Sequence, residues 1–158
     1  MQPEISVIIP SFKPGNYITE CLKSLALQTF PKESFEVIVI LNGCDEPWRS
    51  MLESLLNELR NEHGLNACLL HSILGNVSNA RNLGIAQAHG NFICFIDDDD
   101  YVSDTYLEKL FEKADKDTVS LCHPVSFNDE DKGRLQYSIE NEYYKRKSKG
   151  RQPYYKTT

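Results

Sequence analysis

The chain has 158 residues, 41% of them hydrophobic and 25% charged, with a net charge of −6 and a pI of about 5.2. That is enough for one soluble domain with a real core, and too acidic for general nucleic-acid binding through a basic surface. No apolar run approaches the ~20 residues a membrane span needs, and the start, "MQPEISVIIP", lacks a basic leader and runs straight into a strand-like segment.

"ISVIIP" is a short β-branched run closed by proline and predicts the first strand. Asn16 is placed to cap a helix whose apolar face is Ile18, Cys21, Leu22 and Leu25. "FEVIVIL" is continuously apolar, as expected of a parallel strand covered on both faces. Pro47 suits a first helical position. From Trp48 the apolar residues Met51, Leu52, Leu55, Leu56 and Leu59 recur at three and four, and Gly64 fits the C-terminal cap. "ACLLHS" is a weaker third strand. A helix over 77–89 closed by Gly90 follows, then a strand "NFICFI", a helix "SDTYLEKLFEKA" and a fifth strand "TVSLCHP". Strands and helices therefore alternate as far as residue 123, which predicts an α/β fold: a Rossmann-like, largely parallel sheet with helices on both faces. Beyond Asn128 the periodicity fades, and "YYKRKSKGRQPYYKTT" gathers Lys and Arg. This basic end reads first as a solvated tail. It also suits contact with an anionic lipid surface. The five cysteines are an odd number, widely spaced and without a C-x-x-C pair, and they read as free thiols of a reducing compartment.

In open parallel sheets ligands sit beyond the carboxyl ends of the strands, and here those ends carry unusual loops: "PSFKPGN", "NGCDEP", "SILGN" and "DDDDYVS". On an extended chain Asp97 and Asp99 would project together. Two carboxylates ~4 Å apart repel by about 4 kcal/mol at an effective dielectric near 20. A hard divalent cation such as Mg²⁺ or Mn²⁺ reverses that sign and can tether a diphosphate. The bland alternative is a solvated acidic turn in which Asp100 or Ser103 caps the next helix. In the same way, Ser11 and Phe12 suit a nucleoside, although Phe12 could belong to the core. Arg81, within the first turns of a helix, suits phosphate or a base edge, or else is an ordinary surface arginine.

Four segments, "SVIIPSFKPGNYITECLKSLALQTF", "FEVIVILNGCDEPW", "NVSNARNLGIAQAHGNFICFIDDDD" and "YVSDTYLEKL", resemble the family 2 glycosyltransferases with the GT-A nucleotide-sugar-binding fold, in that family's order and spacing over about residues 4 to 122. The resemblance implies an inverting transfer of a sugar from a UDP- or GDP-linked donor to a glycan or lipid-linked acceptor, with Mn²⁺ or Mg²⁺ as cofactor. Asp97, Asp98 and Asp99 correspond to the D-x-D motif. Asp99 would be the direct metal ligand, and Asp97 would share the metal or contact the ribose. Pro10, Ser11, Phe12 and Asp98 would line the nucleotide site, with Arg81 near base and ribose. Leu41 stands where the family usually has an acid facing the base, so Asn42 or Asp45 is the expected substitute. The resemblance divides the chain into a nucleotide-sugar-binding core, 1–123, and a segment 124–158 that is a partial acceptor-side piece or a basic tail. The family's general base lies well downstream of the acidic motif. Asp129, Glu130, Asp131, Glu140 and Glu142 sit in no recognisable motif, so the base is expected beyond Thr158. The expected location is the cytoplasm, at the inner face of the membrane if the basic tail binds lipid. A non-catalytic donor-binding half of a larger synthase fits the same residues. An aspartate-nucleophile phosphotransferase fits poorly, because its Asp-x-Asp would follow the first strand, where this chain has "IPSF".

Overall fold

The computed structural model describes residues 2–117, 119–120, 123–127 and 142–146. Its main sheet contains β1 (Ile5–Ser11), β2 (Phe35–Asn42), β3 (Ala67–Ser72) and β4 (Phe92–Phe95), all parallel, in the order β3-β2-β1-β4. The chain steps outward from β1 through β2 to β3, then crosses back to place β4 on the other side of β1. That reversal between β1 and β4 is the switch point at which open α/β sheets bind ligands.

Alternation along the strands sorts side chains into two layers. Ile5, Val7 and Ile9 of β1 and Phe35, Val37, Val39 and Leu41 of β2 share one core with Ile18, Leu22 and Leu25 of α1 (Tyr17–Ala26), with Leu52, Leu56 and Leu59 of α2 (Trp48–His63), and with Leu107 of α4 (Tyr106–Phe111). The intervening residues Ile8, Ile38 and Ile40 pack against Ala80 of α3 (Val77–Gln87). Helices thus cover both faces, as the continuous apolar runs of β1 and β2 require. Gly84 lets α3 lie close, since a Cβ there would stand 2.6 Å from Ile8 Cγ2.

The predicted apolar face of α1 is buried as expected, and Gly64 ends α2 with φ 67°, its N–H reaching Arg60 O at 3.0 Å. Other local details differ. Asn16 stands at the start of α1, but its backbone carbonyl, not its side chain, receives the Thr19 N–H. Helix α3 ends at Gln87, two residues early, and Gly90 serves another purpose: a Cβ there would lie 2.5 Å from Ser6 N, so glycine lets the α3–β4 link pass against β1. Helix α4 begins at Tyr106 rather than Ser103: after a two-residue strand, β5 (Tyr101–Val102), the chain makes a turn in which Ser103 O accepts the Tyr106 N–H at 3.0 Å. Buried Gln28 closes this corner, donating to Ser103 O at 2.7 Å and accepting the Leu107 N–H at 2.9 Å.

The fifth strand does not extend the parallel sheet. It runs as β6 (His123–Phe127), later than predicted, and joins β5 and β7 (Glu142–Arg146) in a second sheet of order β5-β7-β6. β7 pairs antiparallel with β5, Tyr101 opposite Tyr144. Thr118, Leu121 and Cys122 of the predicted strand lie outside the described residues, as do Asp129, Glu130, Asp131, Glu140 and most of the basic end. Cys21, Cys44, Cys68 and Cys94 are free thiols. Among the described residues no helix is long and apolar enough to cross a membrane.

Candidate functional site

The registers of the sheet build the site from its ends. Ile8 lies opposite Phe95, so three further residues on each chain bring Ser11 level with Asp98, and the Ser11 hydroxyl donates to Asp98 Oδ2. Asp97, one residue earlier, faces the other layer. There it accepts from Arg81 Nη2 at 3.0 Å, while the Arg81 guanidinium stacks 5.7 Å from the Phe95 ring centre. Arg81 Nε is buried and finds no acceptor among the described residues. Arg81 is therefore no ordinary surface arginine. Adjacent carboxylates are handed to opposite faces of the sheet, each to a partner of its own.

The acids do not continue the strand, as the extended-chain reading supposed. Residues 97–100 form a turn in which Asp97 O accepts the Asp100 N–H at 3.1 Å. Asp98 and Asp99 occupy its middle, half-buried, while Asp100 is 1% exposed and its side chain belongs to the interior rather than to a helix cap. Burial pushes the Asp98 carboxyl up, the Ser11 hydroxyl partly offsets this, and the charges of Asp99 and Asp97 add to the rise. Under the turn, the Cys21 thiol points at Asp97 O, 3.7 Å away, and is pushed well up by its burial and by the surrounding aspartates. Sequence reading gave Cys21 only a core role, because nothing local announces a contact across 76 residues.

Beyond Ser11 the chain turns outward. Phe12 is 55% exposed, so it is not core. Lys13 adopts φ 47°, in the left-handed region that side chains usually avoid. Its N–H meets Cys44 Sγ at 3.3 Å, and its ammonium stands 5.3 Å from the Phe12 ring and 5.8 Å from the Trp48 ring. This links the β1–α1 and β2–α2 loops into one wall, which the sequence alone did not disclose. Gly43 makes the wall possible: at φ 70° its N–H reaches Ser72 O at 2.7 Å, and a Cβ would stand 2.3 Å from Gly75 Cα.

Pro10 is buried within β1 and Leu41 is fully buried at the end of β2. Asn42 is buried too, and its Oδ1 accepts the Asn76 N–H at 3.1 Å, tying the β2 and β3 loops together. Asp45 holds Arg49 Nε at 2.8 Å, and Arg49 Nη2 contacts His71 Nδ1 at 2.6 Å. Of the predicted site residues, then, Ser11, Asp97, Asp98 and Arg81 are joined by direct bonds around the switch point, with Phe12 and Asp99 beside them. Pro10 and Asn42 hold the framework. Among the described residues no group of three or more His, Cys, Asp or Glu side chains is arranged to hold a metal. The aspartate oxygens fit instead a cation that takes one or two protein carboxylates and completes its shell with water and phosphate.

A parallel sheet reversed at β1/β4 and covered by helices on both faces is a mixed α/β fold of the GT-A glycosyltransferase type. The sequence profile of Glycosyl transferase family 2 matches residues 6–158, and the chain belongs to that family. It is 37% identical over 100 residues to the poly(ribitol-phosphate) beta-N-acetylglucosaminyltransferase TarS of Staphylococcus aureus, covering 63% of this chain and 17% of TarS. It is 31% identical over 121 residues to the uncharacterized glycosyltransferase EpsJ of Bacillus subtilis, covering 77% of this chain and 33% of EpsJ. The crystal structure of S. aureus TarS 1–349 in complex with UDP-GlcNAc superposes with a TM-score of 0.60 at 33% identity, over 69% of this chain and 30% of that one. The chain thus spans a third or less of the length of TarS and EpsJ.

Proposed function

We propose that this domain binds a uridine diphosphate sugar across the β1/β4 switch and serves an inverting transfer of that sugar to a hydroxyl of a glycan or lipid-linked acceptor. The observation that carries the reading is the divided acidic turn. Asp98 is bound to Ser11, Asp97 to Arg81, and the Phe12 ring stands open beside them. The uridine choice is supported by the UDP-GlcNAc held by TarS.

Each residue has a task in this scheme. Phe12 stacks on the base, since aromatic faces accept any base. Arg81, fixed by Asp97 and with Nε still unsatisfied, directs its guanidinium at the ribose or diphosphate, where a fork of donors suits anionic oxygen. Asp99, at the middle of the turn, would hold Mn²⁺ or Mg²⁺, with Asp97 as the second carboxylate. When bound, such an ion neutralises charge on the leaving diphosphate. The acceptor's proton goes to a carboxylate outside the described residues. The protein works in the cytoplasm, with the basic end against the inner face of the membrane.

Calorimetry of the 158-residue chain with UDP-GlcNAc tests the scheme. Binding should require Mn²⁺ or Mg²⁺, and Asp99→Ala should remove the metal requirement together with most of the affinity, at an unchanged melting temperature. Tight binding without metal, or binding indifferent to Asp99→Ala, overturns the metal assignment.

A further inference from the structure

The last row of side chains on the α1/α2 face of the sheet reads Asp98, Ser11, Leu41, His71, fixed by the Ser11–Asp98 bond and by the registers Ser11 opposite Leu41 and Leu41 opposite His71. Strands are ~4.8 Å apart, so His71 stands roughly 10 Å from Ser11 along this row. That is the span from a diphosphate at the acidic turn to the far edge of a base stacked on Phe12. Leu41, between them, offers the base no polar atom, and the Asn42 oxygen is occupied by Asn76.

His71 is half-buried, and its ring is oriented from behind. Arg49 Nη2 lies 2.6 Å from His71 Nδ1. A guanidinium can only donate, so Nδ1 is the acceptor and the ring proton is carried by Nε2. Arg49 is in turn held by Asp45 through Nε at 2.8 Å. The first turn of α2 thus fixes the tautomer, and His71 Nε2–H has no acceptor among the described residues.

We infer that His71 is the specificity-determining residue for the nucleobase, donating Nε2–H to a ring carbonyl oxygen, with Arg49 as the positioning residue that sets the tautomer. This rests on the uridine diphosphate sugar reading above. The chemistry selects uracil, whose 4-position is a carbonyl acceptor, over cytosine, which presents an amino donor at the same place. A buried donor left facing a donor is costly, so UDP should bind about 10- to 100-fold more tightly than CDP.

The test is calorimetric titration of UDP and CDP, with Mn²⁺ present, into the wild-type chain and the variants His71→Leu, His71→Gln and Arg49→Met. His71→Leu should weaken UDP, spare CDP and bring the two within about threefold of each other. His71→Gln retains an N–H donor and should keep much of the preference. Arg49→Met leaves the ring in place but frees Nδ1, and should reduce the preference without touching ligand. A folded His71→Leu protein with the wild-type UDP/CDP ratio overturns the inference. If that variant does not fold, an undiminished ratio in Arg49→Met overturns it instead. Equal binding of UDP and CDP by the wild-type chain defeats the His71 assignment alone, whereas binding of neither defeats the donor reading as well.

Discussion

Gly43 and Gly64 form a matched pair of positions that isolates what close packing contributes to the wall formed by the β1–α1 and β2–α2 loops. Both have nearly the same left-handed φ, 70° and 67°, but a Cβ at Gly43 would stand 2.3 Å from Gly75 Cα and 2.8 Å from Gly75 N, while at Gly64 nothing lies within 4 Å. Alanine at either site incurs the left-handed strain, roughly 1–2 kcal/mol. Each also gains the same reduction in unfolded-chain freedom, about 0.4–1 kcal/mol, so these two effects cancel in the comparison. Only Gly43→Ala also drives a methyl into backbone, which costs about 1–3 kcal/mol because backbone cannot swing aside as a side-chain tip can. The expected gap between the two variants is therefore about 1–3 kcal/mol, or roughly 2–12 °C in melting temperature for a domain of this size. Urea unfolding with an unchanged m-value measures it. Gly43→Ala should also weaken UDP binding, because the Gly43–Gly75 approach positions Cys44 and, through it, Lys13; Gly64→Ala should not. Equal destabilisation by the two substitutions would refute the close approach and with it this account of the wall.

At the opposite end of the sheet, burial alone would raise the Glu36 carboxyl, but donors from Ser6 Oγ at 2.6 Å and His89 N at 2.7 Å, with the His89 ring, hold it below its usual value of 4.5. A depressed carboxylate contributes stability that is complete above that usual value and is lost as pH falls through the lower folded one. Glu36→Gln should therefore flatten the acid limb of stability below about pH 4.5, at a cost of about 1–3 kcal/mol near neutrality; an unchanged acid slope in urea midpoints would count against the network. Phe12→Ala should lower UDP affinity on the order of tenfold through lost stacking. Because the ring is largely exposed, the melting temperature should barely move; a large drop would mark Phe12 as structural.

The sequence made the framework plain where local pattern and burial agree. β1 and β2 are apolar through their middles because both faces are covered there, and α2 announces itself by spacing and by Gly64. It also placed the acids, Ser11 and Phe12 at strand ends and Arg81 in the first turns of α3, since topology alone does that. What it could not disclose are pairings between distant segments. Arg81 on Asp97, Cys21 beneath the acidic turn, Lys13 against Cys44, and Gln28 closing α4 are all contacts that no local periodicity encodes. The acids at 97–100 read either as an extended end or as a turn, because a run of identical aspartates carries no alternation from which the two can be told apart; the structure has the turn. β5 is two residues long and exists only through its pairing with β7.

The opposed placement of Asp97 and Asp98 means that the site tolerates changes of side chain far better than changes of length. Adding a single uncharged residue between Phe95 and Asp98 should displace the acidic turn against both Arg81 and Ser11 and cost both pairings, with every aspartate still present. Spacing at this point, more than the number of acids, decides which carboxylate meets Ser11 and which meets Arg81.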